Sequence, residues 1–304
     1  MEVPFTFVVN AGSGSQDAET VLAAIERLIP RERQGRFVII RPGDDFRQFL
    51  DDAVEDCRQS GGVLVAAGGD GTVNAVIKRI LPLGLTLGVI PLGTFNYFAR
   101  QHGIPLELDE ALANLLTAEA VKVPVCQVNG EPFIVNVSLG LHARIIAARE
   151  RHTKITGRNR FVAVVSGLVT ALQEQYSLRA RLVLDKRPLH RKAAMVLVGN
   201  NKLQLASLNI AKAEEEANDH LAVVIMHQFP RRAILTLVWK HLRGHLDQVR
   251  ELELLWAQEV QIHLRRPYVQ VVLDGELKYF RTPLNIRIQP RALNCLLPKG
   301  EGEP

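Results

Sequence analysis

The sequence predicts an α/β protein with an N-terminal, Rossmann-like parallel α/β domain and a C-terminal, β-sandwich-like domain. Two observations predict this fold class. Through the first 120 residues, short apolar runs rich in β-branched side chains alternate with amphipathic helical patterns, as in a parallel sheet covered on both faces. After residue 120, short strands follow one another at close spacing, which is typical of antiparallel β structure. We therefore expect domains at residues 1–120 and 121–290, followed by a tail at residues 291–304.

The N-terminal pattern predicts strands and helices in alternation. Each predicted strand is an apolar run, and each predicted helix repeats apolar side chains at intervals of three and four residues. The predicted strands are residues 5–9, 37–41, 63–67 and 85–90, and the predicted helices are residues 18–28, 45–59, 73–81, 94–101 and 108–118.

The C-terminal pattern begins with a hairpin. Asn129 and Gly130 lie between the apolar runs 121–128 and 132–137, and this pair suits a type I′ turn, whose two central residues both need positive φ. Further strands are predicted at residues 179–184, 193–199, 221–226, 259–264, 269–273 and 285–289, with helices at 158–174 and 231–246.

Three glycine-bearing turns follow predicted strands of the N-terminal domain. Residues 68–74 read Gly-Gly-Asp-Gly-Thr-Val-Asn, residues 91–100 contain Gly93 and Thr94, and residues 10–14 read Asn-Ala-Gly-Ser-Gly. The carboxyl ends of parallel strands meet at one edge of a sheet, so these turns would share a crevice. Glycines allow close approach to an anion, and a helix N-terminus attracts it, although one such turn alone is equally well a tight loop. Together the turns predict a polyphosphate site in which Asp70 holds a metal ion or a ribose hydroxyl.

These motifs together resemble the diacylglycerol kinase catalytic domain family of lipid kinases, which includes sphingosine kinases and bacterial lipid kinases and is distantly similar to NAD kinases and phosphofructokinases. The resemblance implies an active site in the cleft between a nucleotide-binding domain and a β-sandwich-like domain, and a tail that returns to the first domain. It implies ATP and Mg²⁺ as cofactors, with Asp70 linked to the metal. The residues that would contact ATP are Asn10, Gly12, Ser13, Gly14, Arg41, Gly68, Gly69, Asp70, Gly71, Thr72, Asn74 and Thr94.

The same resemblance assigns a catalytic base to Glu276. Residues 274–276 read Asp-Gly-Glu and match the motif whose glutamate accepts the proton of the acceptor hydroxyl in the family. From the residues alone, a plain hairpin turn at Asp274 and Gly275, between two apolar runs, is the simpler interpretation. The motifs at residues 136–140 and 198–201 match relatives too, but ordinary strand ends explain them equally well.

Several positions depart from the family pattern. Tyr97 stands where the family commonly has an aspartate, and Pro124 replaces another acid. Both acids belong to the network around the magnesium in relatives, so the chain is expected to be a slow kinase, a kinase with a differently placed metal, or an inactive relative. Residues 214–221 resemble a degraded cation loop, for which a solvated run of charges is the simpler interpretation.

Composition sets the expected partners and compartment. The net charge of +5 favours anionic partners such as nucleotides and phospholipid headgroups. Basic residues at 144–160 and the basic, tryptophan-containing helix at 231–246 suggest a peripheral anionic membrane surface, or a helix that simply covers the β core. A lipid substrate and a second copy of the chain are candidate partners, and nucleic acid is not. Three widely spaced cysteines and no secretory signal predict a cytoplasmic protein, peripheral at the membrane if it binds one.

Three functions agree with these residues. The first is a lipid kinase that transfers the γ-phosphate of ATP to a lipid hydroxyl, with diacylglycerol or a related lipid as the acceptor. The second is a non-catalytic nucleotide- or lipid-binding protein on the same scaffold. The third is an NAD kinase-like enzyme with a soluble acceptor, because the Gly-Gly-Asp-Gly turn also occurs in that group.

Overall fold

The computed structural model describes residues 3–12, 17–147, 178–200, 220–227 and 252–299. The chain divides into two compact units, one of Met1–Val125 with Gln289–Pro304 and one of Cys126–Ile288. The helices predicted at residues 158–174 and 231–246 and the acidic run at 214–219 lie outside the described residues. Within the described ranges, every helix is too short or too polar to cross a bilayer.

The first unit is a parallel sheet flanked by helices, as predicted. The strands are β1 (Phe5–Asn10), β2 (Gln34–Ile40), β3 (Val63–Gly68), β4 (Thr86–Pro91) and the end of β15 (Leu284–Leu297), and the helices are α1 (Ala18–Leu28), α2 (Phe46–Ser60), α3 (Asp70–Ile80), α4 (Tyr97–Gln101) and α5 (Leu108–Thr117). The sheet order is β2-β1-β3-β4, and the end of β15 adds a fifth parallel strand beside β4, with Asn294 opposite Thr86.

Two helices begin at residues other than the predicted ones. Helix α3 begins at Asp70 rather than at residue 73, so the second half of the glycine motif is helical. Helix α4 begins at Tyr97 rather than at residue 94, because Asn96 adopts the left-handed conformation with φ of 50° and cannot continue a helix. The first shift places Asp70, Gly71 and Thr72 in the first turn of α3, where backbone amides lack partners within the helix, and the second leaves Thr94 in the turn before α4.

The second unit is antiparallel, as predicted. Strand β5 (Glu119–Val128) begins in the first unit and ends in the second, and the other strands are β6 (Glu131–Phe133), β7 (Asn136–Gly140), β8 (Leu178–Leu184), β9 (Arg187–Gly199), β10 (Leu221–His227), β11 (Leu252–Ala257), β12 (Glu259–His263), β13 (Tyr268–Leu273) and β14 (Glu276–Arg281). The order is β14-β13-β7-β9-β8-β12-β15, and β10 pairs with the second half of β9 and with β11.

Two-residue turns with positive φ join neighbouring strands of this unit. The predicted turn at Asn129 and Gly130 has φ of 49° and 85° and links β5 to β6. Asp274 and Gly275, with φ of 49° and 89°, link β13 to β14 in the same way. These values suit type I′ turns, which match the twist of the strands they join. The hairpin interpretation of residues 274 and 275 is therefore correct, and it leaves the role of Glu276 open.

Candidate active site

The glycine motif of the first unit lies where β3 passes into α3. Gly69 is extended, with φ of −84° and ψ of −177°, and Asp70 is the first helical residue. The N-termini of α1 and α2 are capped by the side chains of Asp17 and Asp45, whereas no described side chain caps α3. Uncapped amides at a helix N-terminus, together with the helix dipole, attract an anion.

Two glycines of the motif are required by close packing. A Cβ atom on Gly68 would lie 2.5 Å from the Thr72 Oγ1 atom, and one on Gly93 would lie 2.7 Å from the Cα atom of Gly69. Leu92 N also donates a hydrogen bond of 3.0 Å to Gly68 O. The first and second glycine turns therefore pack directly on each other, backbone against backbone.

The Asp70 carboxylate holds the second turn in place. Its Oδ2 atom accepts a hydrogen bond of 3.1 Å from Tyr97 N, and its Oδ1 atom accepts one of 3.1 Å from Phe98 N. Asp70 therefore caps α4 from a position 27 residues earlier in the chain. This structural role is not visible in the sequence motif, where Asp70 is predicted only as a metal or ribose ligand.

Asn96 shapes the second turn from inside. Gly93 N donates to Asn96 Oδ1 over 2.9 Å, and Asn96 Nδ2 donates to Gly93 O over 2.9 Å. The side chain is 8% exposed, and the left-handed backbone of Asn96 is one that asparagine tolerates better than most residues. Its amide therefore closes the turn in which Thr94 is exposed.

The third turn joins the same constellation through Asn10. Asn10 Nδ2 donates to Thr72 Oγ1 over 2.9 Å, while Asn10 Oδ1 accepts from Gly12 N over 3.0 Å. Thr72 is 3% exposed, so this bond ties the end of β1 to the first turn of α3 below the surface. The structure thus brings together Asn10, Gly12, Gly68, Gly69, Asp70, Gly71 and Thr72 from the predicted ATP contacts.

The remaining predicted ATP contacts differ in their exposure. Arg41 is exposed, and its backbone amide donates to Asp44 Oδ2 over 2.7 Å. Asn74 is 7% exposed, one helical turn beyond Asp70, which indicates a packing position. Ser13 and Gly14 lie outside the described residues. For all of these residues, a contact with ATP stays a prediction.

An exposed aromatic pair takes the place of the missing acid. The Phe95 ring is 63% exposed and stacks on the Tyr97 ring, with centroids 5.5 Å apart and planes 9° from parallel. Tyr97 presents its backbone amide to Asp70 and its ring to Phe95. This turn therefore offers a flat apolar surface beside a carboxylate, and a second carboxylate from residue 97 is absent.

Asp70 fits a magnesium ion that arrives with a nucleotide. Across the described part of the chain, no three His, Cys, Asp or Glu side chains form a group that could hold a metal ion. Mg²⁺ in nucleotide enzymes commonly takes one or two carboxylates and completes its octahedron with phosphate oxygens and water. Each oxygen of Asp70 accepts one amide hydrogen and has a further lone pair. A single carboxylate therefore suits this type of site and does not suit a metal centre built from protein ligands alone.

Asp274 in the second unit is a structural anchor. Its Oδ2 atom accepts from Ile134 N over 3.0 Å, and its Oδ1 atom accepts from Val135 N over 2.9 Å and Asn136 N over 3.1 Å. Asp274 N donates in return to Asn136 O over 3.0 Å. The carboxylate therefore joins the β13–β14 turn to the segment that leads into β7.

Glu276 is the exposed member of the same motif. Its side chain is 74% exposed, and its Oε2 atom lies 4.0 Å from Lys278 Nζ. Lys278 Nζ is closer to Glu131 Oε1, at 2.5 Å, so Glu131 is the stronger partner of this lysine. The Glu276 carboxylate is consequently open to solvent and available to an incoming group.

The motifs at residues 136–140 and 198–201 have packing roles in the described residues. A Cβ atom on Gly140, whose φ is +96°, would lie 2.4 Å from Ala194 O, and one on Gly199 would lie 2.5 Å from Val135 O. Ser138 Oγ lies 2.6 Å from His142 Nδ1, and burial lowers the pKa of His142, which favours the neutral ring. The structure therefore favours ordinary strand packing for these glycines; Asn201 lies outside the described residues.

Two family models match the chain. The model for the diacylglycerol kinase catalytic domain matches residues 4–128. The model for the YegS C-terminal NAD kinase beta sandwich-like domain matches residues 135–297, more than half of the chain.

Curated relatives carry lipid-kinase names. "Probable lipid kinase YegS" of Escherichia fergusonii is 38% identical over 101 residues, which cover 32% of this chain and 32% of that protein. "Putative lipid kinase SH2167" of Staphylococcus haemolyticus is 24% identical over 246 residues, 77% of this chain and 76% of that protein. The match to the first relative thus spans only about a third of its length.

A solved structure has a similar fold. "A putative diacylglycerol kinase from Bacillus anthracis str. Sterne" superposes with a TM-score of 0.68 at 20% identity, covering 97% of each chain. At this identity the likeness concerns the fold, and it agrees with the parallel first unit and the β-sandwich-like second unit. The predicted fold class and family are confirmed: the chain belongs to the family defined by the YegS C-terminal NAD kinase beta sandwich-like domain, and its residues 4–128 match the diacylglycerol kinase catalytic domain.

Proposed function

We propose that this protein is an ATP-dependent lipid kinase that phosphorylates the hydroxyl group of diacylglycerol or a related lipid. The observation that carries the proposal is the packed pair of glycine turns in which Asp70 fixes the second turn while the N-terminus of α3 is left uncapped. That combination supports binding of phosphate groups beside a single carboxylate. Membership of the family and the lipid-kinase names of the relatives support a lipid as acceptor.

In this proposal the first unit positions the nucleotide. The amides at the start of α3 would bind phosphate oxygens, and Asp70 would hold Mg²⁺ together with them. The metal would supply neutralisation of the charge on the phosphates. Asn10 and Thr72 keep the third turn against α3, and Thr94 is exposed beside the site.

The second unit supplies the base in this proposal. The acceptor oxygen forms a bond to the γ-phosphorus, the bond from that phosphorus to the bridging oxygen breaks, and ADP leaves. The hydroxyl proton passes to the Glu276 carboxylate, whose 74% exposure leaves it accessible. Asp274 keeps the turn in place through three backbone amides and takes no proton.

Transfer of labelled γ-phosphate tests the proposal directly. The intact chain would be incubated with Mg²⁺–ATP and micellar diacylglycerol, monoacylglycerol, ceramide, sphingosine or phosphatidylglycerol, in parallel with Glu276→Gln. We expect one labelled lipid, formed at least about 100-fold more slowly by Glu276→Gln because a general base contributes on this scale. Glu26→Gln, an exposed glutamate of α1, is the matched control and should keep full activity.

Two other outcomes would overturn the lipid-kinase function. ATP binding without transfer to any acceptor would favour a binding-only protein, which the replacement of an acid by Tyr97 motivates. A labelled product that stays in the aqueous phase would favour a soluble acceptor such as NAD, for which the NAD kinase beta sandwich-like description of the second domain is the relevant observation.

A further inference from the structure

One face of the second unit concentrates basic side chains. Along β8, Leu178, Ala180 and Leu182 are buried, whereas Arg179 and Arg181 between them are exposed. The same face continues into both neighbouring strands, because side chains directly opposite each other share a face of a sheet. It borders a groove of about 630 Å³. The basic residues lining this groove are Arg179, Arg181, His190, Arg191, Lys192, His263 and Arg265.

The register places two cations directly opposite each other and an arginine between two histidines. Arg179 of β8 lies opposite Lys192 of β9, and Arg181 lies between His190 of β9 and His263 of β12. Like charges directly opposite on a sheet destabilise it. The chain therefore carries a repulsive arrangement on this face, and a bound anion would relieve it.

Within the described residues, no carboxylate neutralises the three long cations of this face, Arg179, Arg181 and Lys192. Arg191 provides the contrast. It lies opposite the buried Ala180 and forms two hydrogen bonds of 2.8 Å to Glu253, which holds the pKa of that carboxyl below its usual value. Glu253 thus neutralises Arg191, whereas the described residues supply no acid to Arg179, Arg181 and Lys192.

The nearest acid on the strands of this face is distant. Glu259 precedes His263 by four residues on β12, about 13 Å along the strand, and it lies opposite Arg287 of β15. A face with this arrangement has a positive potential and attracts multivalent anionic surfaces more strongly than single ions.

We propose that this basic face docks the protein on an anionic phospholipid surface, with phosphate headgroups bound in the groove. The choice of a lipid surface rests on the proposed lipid-kinase function, because a kinase whose acceptor lies in a bilayer must reach that surface. Charge complementarity also supports a lipid surface. The exposed sheet face presents Arg179, Arg181 and Lys192 side by side, and neighbouring cations of this kind can bind neighbouring anionic headgroups.

Vesicle co-sedimentation of the full chain tests the proposal. The triple variant Arg179→Gln/Arg181→Gln/Lys192→Gln would be compared with the wild type on phosphatidylcholine vesicles and on mixed phosphatidylcholine–phosphatidylglycerol vesicles. The matched control, Arg31→Gln/Arg47→Gln/Arg281→Gln, removes three exposed arginines outside the groove and changes the net charge equally. We expect the wild type and the control to bind only the mixed vesicles, and the groove variant to bind them about 100-fold more weakly.

Three results would overturn the docking face. They are equal binding of the groove variant and the wild type, an equal loss in the control, and release from mixed vesicles by inorganic phosphate at matched ionic strength. The last would identify a site for soluble phosphate. A thermal transition of the groove variant at or above that of the wild type is expected, because the substitutions remove repulsion, and it excludes unfolding as the cause of lost binding.

Kinase assays in two formats separate this proposal from the proposed function. On acceptor lipid in neutral detergent micelles, the groove variant should match the wild type, and on mixed vesicles it should be slower. If neither protein phosphorylates any lipid but their vesicle binding differs, the docking face stands and the lipid-kinase function fails. If both phosphorylate lipid in mixed vesicles equally fast, the function stands and the docking face fails.

Discussion

The two units each use one motif aspartate to hold backbone amides, and they use it differently. Asp70 begins α3 and accepts two amide hydrogens from the start of α4. Asp274 lies in a two-residue hairpin turn, with φ of 49°, and accepts three from residues 134–136. A carboxylate that accepts several backbone amides forms strong, charge-assisted hydrogen bonds. Both acids therefore hold two distant segments together before any ligand arrives.

The two units differ in whether the aspartate that holds the backbone is also the candidate functional residue. In the first unit the holding residue is also the candidate metal ligand, so positioning and chemistry share one side chain. In the second unit Asp274 holds the turn, and Glu276, two residues later and 74% exposed, is left for chemistry. In the second unit, substitutions should therefore change stability and activity independently of each other. In the first unit, one substitution at Asp70 should change both.

Asp274→Ala should give the largest change in stability. It removes three hydrogen bonds to backbone amides, and we expect the free energy of unfolding to fall by about 3–5 kcal/mol. Urea unfolding followed by circular dichroism measures it. Glu276→Ala is the control and should change stability by less than about 0.5 kcal/mol, because exposed side chains contribute little. A loss below about 1 kcal/mol in Asp274→Ala would contradict the anchoring role.

Asp70→Asn should lower both the stability of the protein and its affinity for Mg²⁺–ATP. One amide hydrogen bond loses its acceptor, so stability should fall by about 1–2 kcal/mol, and loss of the charge should weaken Mg²⁺–ATP binding at least about 10-fold. Urea unfolding and titration calorimetry measure the two effects. Asp109→Asn, which breaks an exposed ion pair with Arg27, should alter neither. Stability lost with ATP affinity unchanged would remove Asp70 from the metal site.

Two glycine substitutions sharpen the assignment of the first turn. A Cβ atom on Gly71 meets nothing within 4 Å, so Gly71→Ala should keep or raise stability by up to about 1 kcal/mol, because alanine favours the helix. It should nevertheless weaken ATP binding, since the methyl group would fill the space next to the proposed phosphates. Gly93→Ala should instead lose about 1–3 kcal/mol, because its Cβ would lie 2.7 Å from Gly69 Cα. Unchanged ATP affinity in Gly71→Ala would place the phosphates elsewhere.

The remaining expected effect is a loss of stability that appears only at alkaline pH. Burial raises the pKa of Cys57 to about 11 and of Cys295 to about 12 in the first unit, and it raises the pKa of Cys126 in the second unit with help from the Asp274 charge. An unfolded thiol loses its proton near pH 9, so the free energy of the unfolded state falls relative to the folded state as pH rises from there to the folded pKa, and stability falls by at most about 1.4 kcal/mol per pH unit for each thiol. Urea unfolding between these pH values measures the slope. The double variant Cys57→Ala/Cys295→Ala should reduce the slope of stability against pH more than Cys126→Ala does. Equal slopes in the wild type and both variants would show that these buried thiols do not cause the loss of stability.

Much of the fold could be predicted because it follows local patterns. The alternation of strands and helices in the first unit follows from apolar runs and amphipathic repeats in the sequence. The Asn129-Gly130 pair likewise predicts a type I′ turn. Parts of two strands could not be predicted from local patterns. The first half of β9 carries exposed basic residues instead of an apolar run, and β15 continues for 14 residues through Pro290 and Arg291, which interrupt the strand pattern. Pairing with neighbouring strands outweighs local preference at such positions.

The family, the glycine turns and the candidate acids could be identified from the residues alone, because close backbone approach and anion binding demand particular residue types at particular spacings. The groups that those acids hold are known only from the folded chain. Asp70 meets the amides of Tyr97 and Phe98, and Asp274 meets those of residues 134–136, across separations of 27 to 140 residues. Backbone amides look alike at every position in a sequence, so only folding decides which of them a carboxylate binds.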